Sequence, residues 1–326
     1  NVGLKSFTAV FSNINDILLP NTIEVLDLQN NNLFNLDVSE FTNLERLLIN
    51  DNQFEEIDLS ANSKLKILNA SNNLLRNLNL DTNVNLEFLF ISNANLSELD
   101  VTNHSKLIQL TCHDNRLTSL DVSNNIALEY LSLSNNLVGT IDVSKNTALT
   151  TLLANSTNLS ELAVGKNVNL VTLSCSNNSL SELQLIINGK LKRLNVSNNQ
   201  IQTLNVTFLR KLEELNCSNN QISVLDITNN IRLIDFNAVE NNLTCINVFD
   251  VDFANTNWSE NIDDTASFSD NCYTTIADSN FEQALIDKGF DDIIDGLIVT
   301  DNVKTIKNLV LTLAGIEDLT GIESFT

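Results

Sequence analysis

The sequence predicts a solenoid: a stack of short coils in which one strand per coil adds to a long parallel sheet. Three regularities predict it. Leu44, Leu65, Leu86, Leu107, Leu128, Leu149, Leu170, Leu191, Leu212 and Leu233 recur every 21 residues without an insertion, and Ile23 extends the series upstream to eleven units. Within a unit apolar residues hold positions 1, 4, 6, 11, 14 and 16, as in Leu128, Leu131, Leu133, Val138, Ile141 and Val143. Position 9 is asparagine in nine units (Asn31, Asn52, Asn73, Asn115, Asn136, Asn178, Asn199, Asn220 and Asn241), with Ala94 and Thr157 as the exceptions. A period of this size marks an array whose units bury their apolar faces only against one another.

Each part of the unit follows from its residues. Positions 4 and 6 are two apart, so in a strand they share the inner face while positions 3 and 5 point outward. The position-9 asparagine falls where the chain leaves the strand, and its amide serves backbone groups that the turn leaves unpaired. Position 15 is often acidic (Asp37, Asp58, Asp100, Asp121, Asp142, Asp226), with Ser or Thr two residues later in most units. Stacked carboxylates repel unless each is tied to turn amides or exposed to water, and a calcium-binding row is the sharper alternative. Positions 17 to 21 are short and polar, as in "SNNIA" and "SKNTA", which leaves no room for a full helix on the outer wall. Residues 4 to 22 read as a shortened unit of the same kind, with no cap before it, so the native protein is expected to continue upstream.

The segments "LEYLSLSNNLV" and "LKRLNVSNNQI" match L-x-x-L-x-L-x-x-N-x-L, and the chain resembles the leucine-rich-repeat family over eleven units in register. The resemblance is to the 21-residue bacterial type, including internalin-like proteins and secreted multi-array surface proteins of the Bacteroidetes. It implies a leucine-rich-repeat solenoid, α/β by family but β-rich here, with a parallel β-sheet on the concave face, turns and short extended segments on the convex face, and very little helix.

Composition narrows the partners. A hydrophobic content of 43% is ample for a core, while 18 Lys plus Arg against 41 Asp plus Glu give a formal charge of -23. That field repels phosphate backbones and anionic headgroups, so nucleic acid is not an expected partner. No apolar run is long enough for a transmembrane helix, and no basic segment followed by an apolar stretch opens the chain, which reads as mature or excised.

Cys112, Cys175 and Cys217 all hold position 6 and read as core fill, the nearest two being two strands apart, ~9.6 Å at the usual spacing and too far to bridge. Cys245 and Cys272 lie where the array ends, and a disulfide between them would staple a cap over the last unit, with Val248, Phe249, Phe253 and Trp258 as apolar cover. The bridge is expected to contribute about 3 kcal/mol and implies an oxidising, extracytoplasmic setting. Beyond it "IADSNFEQALIDKGF" predicts a helix capped by Asp278 or Ser279, after which Ile306, Leu309, Leu311, Ile316 and Leu319 restart the pattern. The predicted organisation is therefore an array at 1–248, a disulfide-closed cap at 249–272, and at 273–326 the cap helix and first repeat of a second, truncated array.

Catalytic and metal chemistry leave no mark. His104 and His113 have no metal-ligand spacing, no glycine-rich phosphate loop or nucleophile elbow is present, and "FDDIID" lacks the calcium-loop pattern. The expectation is no enzyme, no cofactor and no metal. In the family the concave sheet is the usual binding surface, which here offers Arg46, Leu48, Ile67, Asn69, Phe88, Phe90, Gln109, His113, Tyr130 and Leu153 as candidate ligand contacts. Apolar and aromatic side chains gathered on a wet face mark interaction sites. The expected function is a secreted or cell-surface recognition and adhesion module for a protein partner. The alternatives are a glycan-binding protein, whose aromatic rings stack on sugars, and an architectural spacer.

Overall fold

The computed structural model describes residues 3–14, 17–303, 306–312 and 314–325. Every unit places a three-residue strand on positions 3 to 5, from Val25–Asp27 and Arg46–Leu48 to Glu214–Asn216 and Asp235–Asn237, and Ser6–Thr8 of the shortened unit precedes them. The twelve strands form one parallel sheet in sequence order. Register steps by 21 residues between full units, as in Val25 opposite Arg46, and by 19 from Ser6 to Val25. The alternation of a strand sends positions 4 and 6 inward, and Leu131 and Leu133 are wholly buried with Leu128 behind them. Position 14 packs more loosely: Leu36, Ile57 and Leu78 are only partly buried against the same core.

Two backbone constraints close each coil. Position 8 is left-handed in all eleven units, with φ between 49° and 59° from Asn30 to Glu240. Asn and Asp tolerate that region best among residues with a Cβ, and they hold position 8 in nine units, Ser156 and Glu240 being the others. The next residue joins successive coils. Asn52 Nδ2 donates to Leu28 O (2.9 Å) of the preceding coil and to Ile49 O (3.1 Å) of its own, while its Oδ1 accepts from Leu33 N–H (3.0 Å). Where Ala94 and Thr157 interrupt this row, position 10 is also left-handed, at Asn95 and Asn158, and Thr157 Oγ1 reaches Ala154 O (2.8 Å).

A second internal row runs along position 19. Asn62 Nδ2 bonds Val38 O and Phe41 O, and Asn83, Asn125, Asn146, Asn167, Asn188 and Asn230 repeat the pattern. His104 takes the same place, with Nε2 at 3.2 Å from Leu80 O. The outer wall between residues 23 and 248 is turns and extended chain, with no helix among the described residues.

The array ends in an aromatic plug. Phe236 packs on Trp258 (centroids 5.2 Å) and Phe268 (6.3 Å), and Trp258 Nε1 donates to Ile234 O. Cys245 and Cys272 are joined, with their Cα atoms 5.6 Å apart. Helix α1, Val251–Trp258, was not foreseen; Asp250 caps it by accepting from Phe253 N–H, which phases Ala254 and Trp258 toward the core. The expected cover by Phe249 and Phe253 is corrected accordingly: they are 73% and 43% exposed, and Ala254 and Phe268 fill the place instead. Beside the plug, Leu225–Asp226, Cys245–Asn247 and Ser267–Ser269 form a small parallel sheet at the other wall.

Residues from Tyr273 onward build a separate small core of Ile276, Phe281, Leu285, Ile298 and Val303. Helix α2, Ser279–Ile286, is capped by Asp278, one of the two caps the sequence offers. Tyr273–Thr275 pairs antiparallel with Leu297–Val299. The Tyr273 hydroxyl accepts from Leu225 N–H (3.0 Å) and donates to Cys245 O, which fastens this module to the last coils. Of the restarting ladder, Ile306, Leu309, Leu311 and Ile316 pack against the core, but Leu319 is exposed and residues 309–311 form no strand. A solenoid strand takes half of its ladder from each neighbour, and among the described residues none flanks it.

Candidate functional site

The open face of the sheet carries positions 3 and 5 of each strand. Register aligns Arg46, Ile67, Phe88, Gln109, Tyr130 and Thr151 in one row, and Leu48, Asn69, Phe90, Thr111, Ser132 and Leu153 in the other. Neighbours in a row stand about 4.8 Å apart. Ile67, Phe88 and Phe90 therefore form one contiguous apolar patch over two strands, each side chain half-buried. Arg46 is exposed at its edge; Leu48 differs from expectation, being only 9% exposed and so a floor residue. Tyr130 lies beyond Gln109, and Leu153 beyond Thr111 and Ser132, so these two are separated from the patch by polar strands.

At the rim, His113 Nδ1 lies 2.6 Å from Asp114 Oδ2, and Asp114 Oδ1 accepts from Asn135 Nδ2 (2.7 Å). Asn69 Oδ1 accepts from Ser71 N–H (3.2 Å), which turns its Nδ2 outward. The remainder of the face, from Thr172 to Asn237, carries polar side chains and, with Leu153, forms a depression of about 510 Å³ that has Thr172, Arg193, Glu214 and Asp235 along one side and Leu153, Ser174, Asn195, Asn216 and Asn237 along the other. The letters of those units were legible as polar; their assembly into one hollow needed the register.

Elsewhere the titratable groups are engaged in turns or sealed away. Asp37, Asp58, Asp100, Asp121 and Asp142 each accept from the side chain and backbone of the Ser or Thr two residues on, which holds their carboxyls below the usual range. Asp226 makes the same bonds to Thr228. Burial pushes the thiols of Cys112, Cys175 and Cys217 up to about 12, far from a thiolate nucleophile. Among the described residues no three His, Cys, Asp or Glu side chains are grouped to hold a metal ion. No helix among them is long and apolar enough to cross a membrane.

No family model and no curated protein matches the chain. Solved structures do. The functional domain of InlJ from Listeria monocytogenes, which includes a cysteine ladder, is 28% identical with a TM-score of 0.72, over 75% of this chain and 60% of that one. YopM from Yersinia enterocolitica is 26% identical with a TM-score of 0.64, over 74% and 52%. A leucine-rich-repeat protein of Leptospira interrogans, at 20% identity and a TM-score of 0.60, shares the fold over 76% and 72%. The chain thus spans 60% of the InlJ domain's length and about half of YopM's. Its own thiols, on position 6 of the fifth, eighth and tenth units, are not on adjacent strands. Twelve parallel strands, the 21-residue register and these neighbours together make the chain a leucine-rich-repeat solenoid of the bacterial type.

Proposed function

We propose that the chain is a non-catalytic recognition module, secreted or displayed on a cell surface, that binds a protein partner on the open, concave face of its sheet. The observation that carries this reading is the contiguity of Ile67, Phe88 and Phe90, three large apolar side chains left half-open on adjacent strands, with Arg46 and Gln109 beside them and Tyr130 one strand farther on. Aromatic anchors beside an arginine are the composition of binding hot spots. The Cys245–Cys272 bridge supports an oxidising compartment. In this reading 1–248 is the binding array, 249–272 its disulfide-closed cap, and 273–326 the opening of a second array.

The test is replacement of Phe88, Phe90 and Tyr130 by Ser. These side chains lie outside the coil interior, so the variant should keep its thermal midpoint nearly unchanged while losing at least tenfold in affinity for a partner captured from the native surface fraction. Equal affinity of the variant and the parent chain for that partner defeats the proposal.

A further inference from the structure

We propose a second binding site on the same face: the end of the hollow that lies over the last full units is a subsite for a neutral carbohydrate, built from Asn216 and Asn237 as donors and Glu214 and Asp235 as acceptors. It does not depend on the aromatic patch or on the protein partner proposed for it.

The orientation of the amides carries the inference. Asn195 Oδ1 accepts from Ser197 N–H (3.0 Å), Asn216 Oδ1 from Ser218 N–H (3.1 Å) and Asn237 Oδ1 from Val239 N–H (3.2 Å). A backbone N–H can only donate, so each amide is turned with its oxygen to the strand end and its Nδ2 away from it. Among the described residues nothing accepts from these three Nδ2 groups. They form a row of donors aligned by register, Asn195 opposite Asn216 and Asn216 opposite Asn237.

Two residues back on the same strands, Glu214 stands opposite Asp235. Glu214 Oε1 accepts from Arg193 Nε (2.9 Å), and Asp235 is exposed. Each of the last two strands thus offers a carboxylate and an amide donor on one face, about 6.6 Å apart along the strand. A pair of neighbouring hydroxyls satisfies both, one donating to the carboxylate while the other accepts from the amide. An extended peptide is the poorer fit, since its backbone asks an asparagine for donor and acceptor together, and Asn216 Oδ1 already accepts from both the N–H and the hydroxyl of Ser218. An anionic ligand would meet Glu214 and Asp235 and the chain's formal charge of -23.

The test is calorimetric titration of the chain with a panel of neutral oligosaccharides and, separately, with oligolysine, alongside Asn216→Asp/Asn237→Asp and Asp235→Ala. The Asp replacements keep an oxygen for the Ser218 and Val239 amides, as Asp27 does for Gln29 N–H in the first unit, so the fold is retained while the outward donors vanish. Binding of at least one oligosaccharide by the parent chain, weakened about tenfold or more in both variants and unchanged in Phe88→Ser, is the expected result. Failure of every neutral oligosaccharide to bind at millimolar concentration overturns the proposal, as does equal binding by the variants. Binding confined to oligolysine and lost with salt overturns it in favour of a cationic peptide.

Discussion

A position-9 asparagine bonds two coils at once, and that makes it the residue whose loss is felt furthest. Asn136 Nδ2 reaches Cys112 O (3.0 Å) and Leu133 O (2.8 Å), and its Oδ1 takes Leu117 N–H (2.9 Å), all in a buried setting. Each buried group left unpaired costs about 1–3 kcal/mol, so Asn136→Ala should lower unfolding stability by at least about 3 kcal/mol in urea. Asn136→Asp, which sets a buried carboxylate oxygen against those two carbonyl oxygens, should cost at least as much. The role of this residue was legible, because it recurs and is polar at the end of an apolar strand. The left-handed residue before it was hidden, since Asn-Asn and Asp-Asn pairs blur which of the two the turn requires. Glu240 sits there with φ 59° and an exposed side chain. Glu240→Asn should therefore stabilise the chain by about 1 kcal/mol, and a loss of stability would show that position 8 is not strained. The position-19 row was not legible, because it lies among other short polar residues and only its burial separates it from them.

Elements at the end of the array depend on closure. The Cys245–Cys272 bridge spans 27 residues, and replacing both cysteines by Ser should cost about 3 kcal/mol, read first as protease cleavage between Phe249 and Phe268. The bridge and α2 were legible from position and capping, whereas α1 was not. Its inward residues are only Ala254 and Trp258, too few to announce a helical period beside the outward Phe249 and Phe253. The C-terminal module has its own pH response. Desolvation, reinforced by neighbouring carboxylates, raises Asp291 to about 7 and Asp295 to about 6, next to buried Glu282, whose Oε1 accepts from Asp295 and Gly296 N–H. Both folded values exceed the unfolded value of about 3.9, so the folded module holds more protons between that pH and about 7. Its stability should decline as pH rises through this window and level off above it. Hydrogen exchange of α2 at about pH 5 and about pH 8 measures this, and Asp291→Asn should flatten the difference. Faster exchange at the acidic end, after correction for the intrinsic rate, would contradict it.

At the scale of the whole molecule the core was almost wholly legible, because one period sets every coil and Leu44 to Leu233 are buried as their spacing requires. The face was legible only in part. Period alone assigns Phe88, Gln109 and Tyr130 to one row in that order, but it does not show that Leu48 is covered. Charge acts at this scale too, and two opposing contributions can be weighed. Five Lys or Arg ion pairs among the described residues, such as Lys66–Glu45 and Lys192–Glu213, are substantially solvent-exposed and worth about 0–1 kcal/mol each. Against them stands an excess of 23 acidic groups, 41 less 18, with the position-15 carboxylates repeated at about the strand spacing along one wall. Those carboxylates are tied to turn amides but not neutralised. Repulsion summed over the array exceeds what scattered surface pairs return. Raising salt from about 0.01 M to about 0.15 M shortens the screening length from about 30 Å to about 8 Å, beyond which most of the carboxylates lie from one another. The thermal midpoint at neutral pH should therefore rise with sodium chloride, and by less in a variant with Asp121 and Asp142 both changed to Asn, which keeps the turn bonds and removes two adjacent charges. A midpoint that falls with salt would mean that the surface ion pairs, and not the acidic excess, govern how the solenoid responds to its ionic surroundings.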